Sequence, residues 1–213
     1  VLNPATAMIE VIKELDRMAS LASENLNRAM NALITLDEEE IGEVDEVEKN
    51  IDFLSHAISD YLVKINQTTL PIEDMRIIGG LFHVVNDIER IGDHAENFYE
   101  IVAEMSSKKI AFSDKGREDV KKMCGKVMQM LTIAKDAFDN LNRAGLPRLT
   151  ELEEETDIMK KELTASHFSR LAEGDCSMDV SPYYSSTVAG LERVADHLVN
   201  VGFSIVNPIG SQE

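Results

Sequence analysis

The feature that most constrains this chain is the interval between its apolar residues, which alternates between three and four over long uninterrupted stretches. From Val44 the run is Val47, Ile51, Leu54, Ile58, Tyr61 and Ile65; from Ile77 it is Leu81, Val84, Ile88, Ile91, Ala95, Phe98, Val102 and Met105. That alternation is the seam of a helical bundle, because it keeps one stripe of an α-helix facing a partner helix. β-branched runs alternating at period two are missing, so the fold class is all-α. Turn-forming residues concentrate in five places: Leu36 to Glu40, Asn66 to Pro71, Ser106 to Ser113, Arg143 to Pro147, and Glu173 to Pro182. Five breaks predict six long helices joined by short connections. Ser113 reads as an N-cap, and Gly145 with Pro147 as a stop and restart.

Charge narrows the function. Asp and Glu number 39 against 21 Lys and Arg, a net charge of −18, the wrong sign for attraction to nucleic acid or anionic lipid. No apolar run approaches the ~18 residues needed to cross a bilayer. Cys124 and Cys176 are too few for a disulfide framework and lie in no CxxC spacing, which suits a reducing, cytosolic compartment. The chain begins at Val1 rather than Met, as a piece excised from a longer protein would.

A self-comparison shows a duplication. Ile88-Glu89-Arg90-Ile91-Gly92-Asp93-His94 recurs as Leu191-Glu192-Arg193-Val194-Ala195-Asp196-His197, and Asn97 is answered by Asn200. Upstream, Glu48 and Asp52 are answered by Glu153 and Asp157 at nearly the same offset. The expected architecture is therefore two tandem three-helix bundles, residues 1–106 and 107–213, packed together.

Each unit carries an ExxxD pair on its second and third helices. Residues at i and i+4 stand one above the other, ~5–6 Å apart at Cβ, so two such helices can present four carboxylates to one ion or cluster. The candidate ligands are Glu48, Asp52, Glu89, Asp93 and Asn97 in the first unit, and Glu153, Asp157, Glu192, Asp196 and Asn200 in the second. An all-oxygen set suits hard cations, ferric iron among them, with zinc admissible. A solvated acidic face would carry the same residues, since roughly seven acidic i,i+4 pairs arise by chance in a chain this acidic. In the third helix Glu89, Asp93 and Asn97 lie opposite the apolar seam, which places any cluster on the bundle surface.

His94 and His197 lie about 100° round the helix from the motif aspartates and are expected to pack or to bond between helices. Arg90 and Arg193 are expected to tether a neighbouring helix or to neutralise the acidic face. His56, His83 and His167 form no HxxxH or ExxH set, which argues against a di-iron oxidase.

Tandem three-helix units, each with ExxxD on two helices and Glu-Arg-Ile-Gly-Asp or a variant on the third, resemble the PhoU family of phosphate-uptake regulators. The resemblance spans nearly the whole chain; Ala195 in place of Gly92, and the histidines after each motif aspartate, depart from it. It implies multinuclear iron or zinc clusters on the bundle surface, held by the acidic pairs. The opening Leu2-Asn3-Pro4-Ala5-Thr6-Ala7-Met8-Ile9-Glu10 is similar to the segment that follows the membrane portion of bacterial sodium/phosphate cotransporters. That similarity implies a cytosolic domain partnered by the membrane portion, on the cytoplasmic side of the inner membrane. The alternative is a free-standing cytoplasmic PhoU regulator partnered by phosphate-signalling proteins. Two further readings compete: a metal-free helical adaptor, and a metal-dependent phosphohydrolase, for which no nucleophile motif or Gly-rich phosphate loop is present. Catalysis and nucleic-acid binding are not expected, and a homodimer stays open.

Overall fold

A computed structural model describes residues 3–40 and 42–204; Leu2 of the opening segment lies outside them. Among the described residues six α-helices follow one another: α1 Pro4–Thr35, α2 Val44–Asn66, α3 Ile72–Lys108, α4 Asp114–Asn140, α5 Leu146–Glu173 and α6 Ser181–Phe203. Every break expected from turn chemistry separates two of them. Ser113 caps α4, its hydroxyl accepting from the Gly116 N–H at 3.1 Å. The end of α4 differs from expectation. Leu141, in the left-handed region at φ 55°, terminates it, whereas Gly145 precedes α5 at φ −84° with Pro147 in the first turn. The restart is as expected and the stop comes four residues earlier, because α4 ends without a glycine.

The two repeats share one apolar core. α1 packs on α3, α3 on α6, α6 on α4 and α4 back on α1, closing a four-helix ring from the first and third helices of each repeat. α2 lies against α1 and α3 on one flank, and α5 against α4 and α6 on the other. The shared ring removes apolar side chains of both units from water together, at about 25 cal/mol per Å² of apolar surface. Met123 and Met130 are fully buried in that core, as is Cys124, whose thiol burial pushes up to about 12.

α3 and α6 run antiparallel. Asp87, early in α3, meets His197 and Asn200 late in α6, and Lys108 at the end of α3 donates to the Tyr183 hydroxyl at 2.6 Å. Close approach of the two helices depends on Gly190, since a Cβ there would stand 2.6 Å from Cε1 of Phe98.

Candidate metal centres

Each outer helix sets its ExxxD pair against the motif of its neighbour. In the first repeat α2 brings Glu48 to α3, where oxygens of Glu48, Asp93 and Glu96 lie within 4.8 Å of one another. In the second, α5 brings Asp157 to Glu192 and Asp196 of α6, again within 4.8 Å. Both groups could hold a metal ion.

Glu48 is the unusual member. It is 4% exposed, and no N–H or hydroxyl among the described residues reaches either of its oxygens; its hydrogen-bonding contact is the carboxyl of Asp93. Burial, then the charges of Asp52, Asp93 and Glu96, push it up to about 8. Asp93 and Glu96 are also raised, in both cases chiefly by burial. Space for the Glu48 carboxylate comes from Gly92, where a Cβ would stand 3.0 Å from Oε2. A buried carboxylate with only acids beside it is costly unless it holds a proton or faces a cation. The oxygen donors and the Gly92 cradle fit a hard cation.

The second centre is more open. Burial, then hydrogen bonds to Asp157 and Asp196, push Glu192 up to about 7, and Lys160 Nζ at 3.7 Å from Oε2 acts in the opposite direction. Glu153 is hydrogen-bonded to Asp196 and also raised, chiefly by burial. Lys160 occupies the position of Ser55 in the first repeat, whose hydroxyl donates to Glu89.

Eight of the ten candidates thus stand in or beside the two groups. Asp52 is exposed but close enough to raise Glu48, and Glu89 likewise raises Asp93. The phase of the third helix places any cluster on the bundle surface, yet Glu48 of α2 turns inward over Gly92.

Asn97 and Asn200 are also corrected. A step of eight residues turns 80° at 100° per residue, so neither asparagine stays in the column begun by Glu89 or Glu192. Both face the α3–α6 groove instead: Asn97 lines a cavity with His94, and Asn200 Nδ2 donates to Asp87 Oδ1 at 3.2 Å. Asp87 also accepts from His197 Nδ1 at 2.9 Å, the interhelical bond expected of that histidine. Burial, then the charges of His197, Arg193 and Arg90, bring His94 down to about 4, so its ring is neutral near pH 7.

Glu96 was not among the candidates, because it lies outside any ExxxD spacing and its counterpart is Val199. At three residues from Asp93 it sits on the same side of that residue as Glu89, whereas Asn97 falls on the other; helical phase carries that signal.

Fold and site describe a duplicated helical protein with, on each flank, a carboxylate group that could hold a cation. The chain belongs to the PhoU family: the family model for the PhoU domain matches it twice, over residues 15–102 and 120–205. It is 30% identical over 189 residues to the phosphate-specific transport system accessory protein PhoU homolog 1 of Thermotoga maritima, covering 88% of this chain and 81% of that protein. The PhoU homolog of Clostridium acetobutylicum is 25% identical, with 90% and 87% covered. The crystal structure of PhoU from Pseudomonas aeruginosa superposes with a TM-score of 0.89 at 22% identity, over 99% of this chain and 100% of that one. The phosphate transport system regulatory protein PhoU from Streptococcus pneumoniae gives 0.82 at 18%, over 99% and 98%. These relatives carry the name of transport accessory and regulatory proteins rather than of enzymes. No helix among the described residues is long and apolar enough to cross a membrane.

Proposed function

We propose that this chain is a PhoU-type regulator of phosphate uptake, acting on a transport or signalling protein rather than catalysing a reaction itself. The family match across both repeats carries the reading. Between the two forms considered, the PhoU accessory protein is better supported than the cytosolic domain of a sodium/phosphate cotransporter. The first two relatives are named as phosphate-specific transport accessory proteins, and the matches span most of their lengths. A cytoplasmic site of action follows from that reading.

Each repeat, residues 1–106 and 107–213, contributes one metal centre. Glu48, Asp93 and Glu96, with Asp52 and Glu89 beside them, would hold the first; Asp157, Glu192 and Asp196, with Glu153, the second. Iron and zinc are the metals proposed. A cation held there would supply positive charge, letting the buried acids ionise and tying α2 to α3 and α5 to α6. The protein's own part is to set Glu48 over Gly92 and to fix the outer helices against the ring, so that occupancy alters the outer face a partner meets.

Two measurements test the reading. Elemental analysis of the purified protein by plasma mass spectrometry is expected to find iron or zinc. That metal is lost in part in Glu89→Ala/Asp93→Ala, in part in Glu192→Ala/Asp196→Ala, and fully when all four are changed. Uptake of labelled phosphate by cells lacking the gene, compared with complemented cells, tests the regulation. No tightly held metal after reconstitution with ferric iron, zinc and manganese refutes the centres; unchanged uptake refutes the regulatory role.

A further inference from the structure

The duplication also sets residues face to face across the α3–α6 groove, away from the acidic centres. Arg90, His94 and Asn97 on α3 have copies in Arg193, His197 and Asn200 on α6. In one half of the groove the copied donors grip an anion supplied by the chain: Asp87 Oδ1 takes His197 Nδ1 at 2.9 Å and Asn200 Nδ2 at 3.2 Å. The position matching Asp87 in the second repeat is Gly190. The Phe98 ring packs flush against it, leaving no room for a side chain, so the position that answers Asp87 furnishes no carboxylate to His94 and Asn97.

That other half is open. His94 and Asn97 line a cavity of about 480 Å³ together with Ser186, Gly190 and Arg193. A second cavity of about 300 Å³ beside Asp87 is built from the matching positions: Gly80, His83, Asp87 and Asn200 there answer Tyr183, Ser186, Gly190 and Asn97 here. The two cavities are built from matching positions, and only in the second does a carboxylate, that of Asp87, bond the copied donors. Arg193 is exposed and makes no ion pair with any described residue, although the chain carries 39 acids. Glu100 and Glu104 line the same cavity toward the end where Lys108 bonds Tyr183, and Lys108 answers the charge of Glu104.

We propose that the cavity at His94, Asn97 and Arg193 binds a phosphate oxyanion, which stands to His94 and Asn97 as the Asp87 carboxylate stands to His197 and Asn200. An arginine fork, an amide N–H₂, an imidazole N–H and the Ser186 hydroxyl are donors matched to a tetrahedral oxyanion. The oxyanion character comes from these residues. The choice of phosphate rests on the regulatory reading above, and the group can arrive free or as a phosphomonoester.

Isothermal titration calorimetry of the full chain, stripped of metal by a chelator so that no ion in the acidic centres can bridge to phosphate, tests the site. Inorganic phosphate and phenyl phosphate are the separate titrants. Saturable binding of at least one is expected, weakened about tenfold or more in Arg193→Gln and in Asn97→Leu, and left within about twofold in Arg90→Gln, which lies outside the cavity. The far-ultraviolet dichroism of each variant checks its fold. No saturable binding of either titrant by the unaltered protein at about 10 mM overturns the proposal, as does full binding by a folded Arg193→Gln. Binding lost in Arg193→Gln, in a protein whose gene leaves uptake unchanged, sustains the site and removes the regulatory reading. Normal control of uptake by a protein that binds neither titrant does the reverse.

Discussion

Two acids, one from each repeat, are buried in opposite ways. In the first, Glu48 lies between α2 and α3 with Asp93 and Glu96 as neighbours and, among the described residues, no basic partner at its oxygens. In the second, Asp119 of α4 is as deeply buried but takes Arg170 Nη1 of α5 at 3.2 Å, with the Tyr184 hydroxyl at 3.4 Å. The first repeat has Ile65 where the second has Arg170. Duplicated chain thus yields a paired buried charge that locks helices unaided, and an unpaired one that requires a proton or a cation from solution. The difference separates a structural charge from a site.

The sharpest way to break this contrast is Asp119→Ala, which leaves the Arg170 guanidinium buried and unpaired. A loss of about 3–5 kcal/mol is expected in urea unfolding of the metal-free protein. Glu48→Gln is expected to act with the opposite sign. It removes the charge that lacks a partner, and should stabilise the metal-free protein by roughly 1–3 kcal/mol at pH 9 while weakening the first metal centre. If both substitutions destabilise alike, the contrast is wrong.

The pH dependence sharpens the comparison further. Glu48 rises from 4.5 to about 8 and Glu192 from 4.5 to about 7. Each therefore binds a proton in the folded state that the unfolded chain has already released. The stability they contribute is present below about pH 4.5 and is lost as pH rises, through about 7 for Glu192 and about 8 for Glu48. Urea midpoints of the metal-free protein should fall between pH 5 and pH 8. Glu48→Gln should lessen the fall over the whole range up to about pH 8, Glu192→Gln only up to about pH 7, so the stretch between 7 and 8 is flattened by Glu48→Gln alone. Bound metal should flatten the whole fall.

Smaller effects are expected from exchanging the residues that differ between the two motifs. Gly92→Ala places a Cβ at 3.0 Å from the Glu48 carboxylate, the far end of a flexible side chain that can shift. The expected cost is below about 1 kcal/mol, with most of the change in metal retention at the first centre. Lys160→Ala removes a partly exposed pair at 3.7 Å, for which about 0–1 kcal/mol is expected. Its informative readout is tighter metal retention at the second centre only.

Much of this was legible in the sequence, and the reasons are local. The apolar spacing around Val47, Ile51 and Leu54 gives a helix without reference to any other segment, and Ser113 marks a helix start through its own side chain. The copy of Glu89 and Asp93 in Glu192 and Asp196 reveals the duplication, and with it the resemblance to PhoU proteins. Spacing failed where the answer depended on phase against a neighbour. Spacing puts Asn97 and Asn200 with the acids as the i+8 continuation of the column, yet an 80° drift over eight residues carries both into the α3–α6 groove. Glu96 was missed for the complementary reason, since its place beside Glu48 appears only when α2 is laid against α3.

By itself, then, the sequence determined six helices, their duplication and the acidic pairs on two of each three, because helix periodicity and repeat are properties of a chain read along its length. Only the tertiary structure decided that the repeats share one ring, that Glu48 sinks over Gly92 with no basic group of the described residues at its oxygens, and that Asp87 occupies the copied donors in one half of the α3–α6 groove while Gly190 brings no side chain to those in the other. Burial and pairing are set by which faces meet. A carboxylate becomes a structural charge or a site according to whether its neighbour across the interface is an arginine, as at Asp119, or another acid, as at Glu48.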